Sequence, residues 1–218
     1  MNYGPKAVTN GLVLCLDAAD KNSYPGSGTS WNDLSGNNNN GILTNGPIFN
    51  SANAGAIAFD GTDDYVTFLQ VPSLTNQLTM ECWFYLNAIQ SQNQNRLISN
   101  QDWYVIYLAS TSQLSFYMAN QGGYIYSTGN SFLNSWNHIV ATYNGTNRAI
   151  YINGVLKTTS NASGNVPNGN ILNIGDYQNE SAYTINGRMP IMRIYNKGLS
   201  STEVRQNYNA QKGRFGLS

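Results

Sequence analysis

"SWNHIVATYNGTNRAIYINGVL", residues 135–156, alternates apolar and polar positions on either side of two short turns. Successive side chains of a strand point to opposite faces, so a run of this kind can bury one face and wet the other. Asn153-Gly154 stands between "AIYI" and "VLKT". Asn-Gly between alternating runs is the signature of a two-residue type I′ hairpin, because both turn positions need a positive φ. The stretch therefore predicts strands over 136–143, 148–153 and 155–159.

The same pattern recurs in both directions. It predicts further strands over 12–17, 41–44, 56–60, 64–69, 78–87, 96–99, 103–109, 113–119, 124–127, 170–174 and 188–196. The joins carry turn chemistry, as in "SGNNNNG" (35–41), "NQGG" (120–123) and "NASGNVPNGN" (161–170). No linker or fixed-period repeat interrupts the series, so one all-β domain is expected, a two-sheet antiparallel sandwich. Its limits are set at 11–210, with an N-terminal arm at 1–10 and a C-terminal tail at 211–218. One helix is predicted, in "LSSTEVRQNYNAQKG" (199–213). Ser200 and Glu203 form a capping box, Leu199 and Val204 a hydrophobic staple, and Gly213 a stop. The helix is expected to cover a sheet edge or seal the sandwich mouth.

Composition narrows the function classes. Of 218 residues, 41% are hydrophobic, enough for a core, while only 10% are charged and the formal net charge is zero. No basic stripe is available to neutralise phosphates, which argues against nucleic acid as a partner. Polarity comes from 33 asparagines and from hydroxyls, and 15 tyrosines stand out. Weak self-repulsion leaves room for packing against other chains or a second copy. No apolar run approaches ~20 residues, so no membrane span is expected, and the N-terminus shows no secretory signal pattern. Cys15 and Cys82 sit in apolar strands and read as buried free thiols, a bridge between them being the alternative.

Strand parity separates candidate core from candidate surface. In "TMECWFYL", Met80, Cys82, Phe84 and Leu86 share one row, and Glu81, Trp83 and Tyr85 lie on the other. Likewise Tyr104, Ile106 and Leu108 oppose Trp103, Val105 and Tyr107, while Leu114, Phe116 and Met118 oppose Ser115 and Tyr117. With one face of each sheet turned to water, Trp83, Tyr85, Trp103, Tyr107 and Tyr117 are expected to share an outward surface. Such rings suit stacking on sugars or anchoring a protein partner. The competing reading is that loops cover them as a second minor core.

"FDGTDDYVTF" (59–68) gathers Asp60, Asp63 and Asp64. Asp-Gly favours a tight turn, with Asp60 ending one strand, Gly61 at positive φ and Asp63 or Asp64 opening the next. The three also offer oxygens to a hard cation, calcium, with Asp176 in "NIGDYQN" as a further ligand. No cofactor is required by this reading. Catalysis is not expected, because a glycosidase needs paired carboxylates on a rigid platform and Glu81 stands alone in its strand. His138 is the only histidine, which excludes a His-rich zinc site and disfavours a Ser-His-Asp triad.

Four segments, "GLVLCLDAAD" (11–20), "AIAFDGTDDYVTF" (56–68), 135–156 and "INGRMPIMRIYNKGLSSTEVRQNY" (185–208), together resemble the laminin G-like, concanavalin A-like lectin/glucanase superfamily. The resemblance spans about 11 to 210 and implies a curved jelly-roll sandwich, often with calcium at its rim. Its glucanases carry Glu-x-Asp-x-x-Glu on one strand, a pattern missing here. Many relatives also have an acidic pair in the late strand, where this chain reads Gly187, Arg188, Met189, Pro190 and Ile191. More narrowly, 11–41 and "NYNAQKGRFGL" (207–217) resemble free-standing laminin G-like proteins of tailed bacteriophages. That implies a virion surface protein made in the host cytoplasm: a capsid decoration, head fibre or tail adhesin. Its partners would be other virion chains and cell-surface polysaccharide. The alternative is a calcium-dependent lectin domain with no virion role.

Overall fold

A computed structural model describes residues 6–90, 94–101, 103–167, 169–176 and 183–218. The strands are β1 (Leu12–Asp17), β2 (Ser30–Trp31), β3 (Gly41–Thr44), β4 (Ile48–Asn50), β5 (Ala56–Asp60), β6 (Tyr65–Phe68), β7 (Leu78–Ala88) and β8 (Asn95–Asn100). They continue with β9 (Tyr104–Ser110), β10 (Gln113–Met118), β11 (Gly123–Ser127), β12 (Trp136–Tyr143), β13 (Asn147–Ile152), β14 (Val155–Asn161), β15 (Asn173–Ile174) and β16 (Asn186–Tyr195). One helix, α1 (Ser201–Gln211), runs into a 3-10 turn at Lys212–Phe215. The sequence reading placed each long strand to within two residues. It missed β2 and β4, which are too short to show a period, and it overextended β15.

Two eight-stranded sheets form. Sheet one runs β14-β13-β12-β7-β16-β5-β4, with β1 also on β16, and sheet two runs β11-β10-β9-β8-β15-β6-β3-β2. The named strands pair antiparallel, the expected all-β sandwich. At the predicted hairpin Asn153 and Gly154 have φ of 50° and 75°, as a type I′ turn demands.

The main core lies between the sheets. Met80, Cys82, Phe84 and Leu86 from β7 share it with Ile106, Leu108, Leu114, Phe116 and Met118 from β9 and β10. Each such side chain contributes roughly 1.5–3 kcal/mol by leaving water. Cys15 and Cys82 are free and buried, and burial pushes both thiols up, which leaves them unreactive.

The helix caps as predicted, with the Ser200–Glu203 capping box complete, and it reaches β14, the edge strand of sheet one. It lies on the outer face of sheet one, where Val140, Tyr151 and Tyr195 pack with Leu199 and Val204. Residues after 210 are no free tail, since Phe215 packs on Trp83 and Ile191, with Leu217 beside them. The arm is docked as well: Val8 N–H donates to Asn207 Oδ1 at 2.7 Å and Tyr195 Oη donates to the Val8 carbonyl at 3.1 Å. Residues 1–5 of that arm lie outside the described residues.

Candidate functional site

Sheet two carries the face on which exposed rings gather. Because Ile106, Leu108, Leu114, Phe116 and Ile125 point into the core, the intervening Tyr107, Ser115, Tyr117, Tyr124 and Tyr126 point outward. Register sets Tyr117 opposite Tyr124, and Ser115 between Tyr126 and Tyr107. The Tyr117 and Tyr124 rings lie 4.6 Å apart, Tyr107 meets Tyr124 edge-on at 6.0 Å, and Tyr124 stacks along Tyr126 at 6.0 Å. Tyr124 and Tyr126 are 46% and 47% exposed. Trp103, just ahead of β9, extends the row at 38% exposure, its carbonyl accepting from Ala119 N–H. Beneath the rings the buried Ser115 hydroxyl has no hydrogen-bond partner among the described residues. The described strands of this sheet contain one charged residue, Arg96, and no carboxylate.

Three of the five predicted contact residues lie on sheet two: Tyr117 and Tyr107 in the ring cluster, with Tyr107 buried at 8% exposure, and Trp103 further along the Tyr107 row. Trp83 and Tyr85 belong to β7 in sheet one, so the single shared surface does not exist. Trp83 does face away from the main core, as parity required, yet it is fully buried. Phe215 stacks on it at 4.4 Å and Tyr208 at 5.7 Å. The competing reading, a second minor core, holds for Trp83, with the helix and following turn as its cover. Tyr85 is half-buried against Trp136, with the Arg188 guanidinium 4.4 Å from its ring centre. Tyr124 and Tyr126 were missed, although the i, i+2 tyrosines flanking Ile125 in "GYIYS" carried the signal.

The aspartates build the turn that their sequence predicts. Asp60 closes β5, Gly61 takes φ 83°, the Asp60 carboxylate accepts from Thr62 N–H at 2.7 Å, and Asp64 accepts from Asp60 N–H at 2.9 Å. One carboxylate oxygen from each of Asp60, Asp63 and Asp64 lies within 4.8 Å of the others. Burial, then the like charges of Asp60 and Asp63, push the Asp64 carboxyl up despite its backbone hydrogen bond. The cluster borders a cavity of about 370 Å³ that Asn45, Asn87 and Asn186 also line. Asp176 is not in this group. It is buried beyond β15, where its carbonyl accepts from Ser99 Oγ.

Glu81 is the one carboxylate of β7, as the sequence reads, and it gathers basic and polar partners instead of a second acid. It is fully buried on the outer face of sheet one beneath α1. Its Oε1 accepts from Arg193 at 2.7 Å and lies 3.1 Å from His138 Nε2, and its Oε2 accepts from Asn207 Nδ2 at 2.6 Å, with Tyr195 Oη 3.5 Å away. Burial by itself would push this carboxyl up. The Arg193 charge, with hydrogen bonds from His138 and Asn207, outweighs it and holds the group at about 2. Four side chains from β12, β16 and α1 converge on one residue of β7, a convergence that sequence spacing does not show.

The family model described as concanavalin A-like lectin/glucanases superfamily, of laminin G type, matches residues 60–205. The chain belongs to that superfamily. Among solved structures, this superfamily member is similar to the binding domain of Paraclostridial mosquitocidal protein 1, with a TM-score of 0.76 and 18% identity over 96% of this chain and 56% of that one. It is also similar to the botulinum neurotoxin type G receptor binding domain, with a TM-score of 0.71 and 18% identity over 91% and 51% of the two chains. A third similar structure is the botulinum neurotoxin serotype D ligand binding domain in complex with N-acetylneuraminic acid, at 0.73 and 16% over 94% and 52%. The superfamily member thus spans about half the length of these neighbours, and the likeness establishes a shared jelly-roll fold. No curated protein matches the chain.

Proposed function

We propose that this chain is a non-catalytic binding module whose ligand lies on the tyrosine face of sheet two. The observation that carries the reading is the cluster of Tyr107, Tyr117, Tyr124 and Tyr126, in which Tyr124 and Tyr126 are about half exposed over a buried Tyr107, on a sheet whose described strands hold no carboxylate. Flat amphipathic rings offer large contact area at low entropic cost and accept either sugar faces or protein side chains. Against hydrolysis, Glu81 is sealed under α1 with its charge committed to Arg193, so it is out of reach of a glycosidic bond. A glycan array tests the reading. Binding lost in a Tyr124→Ala/Tyr126→Ala variant of unchanged melting temperature supports it, and silence on diverse microbial polysaccharides and on virion proteins rejects it.

The setting we propose is a tailed-phage virion, as a capsid decoration, head fibre or tail adhesin bound to other virion chains. It rests on the likeness of 11–41 and 207–217 to free-standing phage proteins. These two segments meet in space, where Arg214 pairs with Asp17 at 2.7 Å and donates to the carbonyls of Asn53 and Gly55. Cross-linking on purified particles identifies the neighbours, and absence of the chain from particles rejects the setting. Calcium at Asp60, Asp63 and Asp64 is a separate proposal that favours the lectin alternative. Asp60 Oδ2, Asp64 Oδ1 and the Asp63 carboxylate are not taken up by the turn's own bonds and can face a hard cation.

A further inference from the structure

Away from the tyrosine face, α1 and the β13–β14 hairpin enclose a cavity of about 290 Å³ between Arg205, Tyr208, Asn209, Lys212 and the turn at Asn153 and Gly154. Arg205 and Lys212 are seven residues apart, two helical turns, so their side chains leave one face of the helix with Tyr208 and Asn209 between them. Among the described residues Arg193 pairs with Glu81, Lys197 with Glu203 and Arg214 with Asp17. No acidic side chain lines this cavity, and neither Arg205 nor Lys212 has an ion pair among the described residues. Ser218 also reaches the lining, without an ion pair to either cation.

Lys212 gains from the carbonyls at the helix C-terminal end, but Arg205 is in mid-helix, where that benefit is absent. Two like charges facing one cavity repel, and an oxyanion between them removes the repulsion while gaining charge-assisted hydrogen bonds. The wall adds what an anionic sugar needs besides charge. Tyr208, stacked on Trp83 and with Lys212 Nζ 5.8 Å from its ring centre, supplies part of the wall, Asn209 an amide with no hydrogen-bond partner among the described residues, and Val155, 57% exposed, an apolar contact. The turn fixes the geometry, because Gly154 packs so close that an added Cβ would lie 3.1 Å from the Tyr208 ring.

We propose that this cavity binds the oxyanion of an acidic sugar, a carboxylate or a phosphate ester, as a second recognition site independent of the tyrosine face. Amide chemical-shift titration of the full chain tests it, with glucuronate, glucose 6-phosphate and neutral glucose as probes. Saturable shifts at Gly154, Tyr208 and Asn209 are expected with one or both anionic sugars and not with glucose. Which of the two acts tells carboxylate from phosphate recognition. An Arg205→Gln/Lys212→Gln variant is expected to weaken binding by about tenfold or more, with its melting temperature within a few degrees of the parent because Arg205 is exposed and unpaired. Equal shifts with glucose, shifts mapping elsewhere, or parental affinity in the double variant would each overturn the proposal.

Discussion

Replacing Glu81 by Gln should destabilise the domain severely and make its acid limb shallower. The carboxylate is fully buried and shares Oε1 between Arg193 and His138, while Oε2 accepts from Asn207. A neutral side chain leaves the Arg193 guanidinium, 5% exposed, as an uncompensated buried charge. Breaking a buried pair in this way costs about 3–5 kcal/mol, against a total stability on the order of 5–15 kcal/mol. The amide also turns a donor toward Asn207 Nδ2 or Arg193, where only acceptors fit. An independent route gives a similar size. The carboxyl falls from 4.5 to about 2 on folding, and at ~1.4 kcal/mol per pH unit that corresponds to roughly 3 kcal/mol.

The sign follows from proton binding. Between about pH 4.5 and 2 the unfolded chain holds a proton on Glu81 that the folded chain does not. Stability from this group is therefore complete above pH 4.5 and lost as the pH falls towards 2. Urea titrations at intervals from pH 2 to 6, read by tryptophan fluorescence, measure both effects, with the m-value unchanged if the two states keep their compactness. An unfolding midpoint in Glu81→Gln equal to that of the parent, or an acid limb of the same depth in both proteins, would refute the reasoning.

Trp83→Ala is expected to cost about 3–5 kcal/mol as a core aromatic. Tyr126→Ala should stay within ~0.5 kcal/mol, since 47% of Tyr126 is exposed; a paired thermal melt distinguishes the two. Calcium at about 100 times its dissociation constant should raise stability by ~3 kcal/mol, reversibly with chelator and not in an Asp63→Asn/Asp64→Asn variant. A calorimetric trace indifferent to calcium removes that site. Ser200→Ala deletes the oxygen that accepts from Glu203 N–H and should cost about 1 kcal/mol, readable as a shift in the urea midpoint.

Most of the architecture was legible because strand period and turn chemistry are local. Asn153-Gly154 fixed a hairpin, Ser200 and Glu203 a helix start, and Asp60-Gly61 a turn, each from bonds spanning a few residues. The candidate site was half legible. Parity pointed Trp103, Tyr107 and Tyr117 away from the main core, although Tyr107 is buried at 8% exposure, and the same rule covers Tyr124 and Tyr126. It failed for Trp83, because pointing away from one core does not prevent burial in another. Phe215 lies more than 130 positions along the chain, and nothing near Trp83 announces its arrival.

The sequence by itself determined which residues pair within a strand's reach: the alternation, the turns and the cap, all governed by backbone preferences and by contacts between near neighbours. Only the tertiary structure decided which outward rows stay in water. Sheet one's outer row carries Val140, Tyr151, Tyr195, Trp83 and Ile191 and gains from being covered, so α1 and the turn after it fold over that row and close on the Glu81 carboxylate. The Tyr124 and Tyr126 rings of sheet two keep about half their area in solvent. Burial depends on the summed surface of segments distant in sequence, and that sum exists only once the chain has folded.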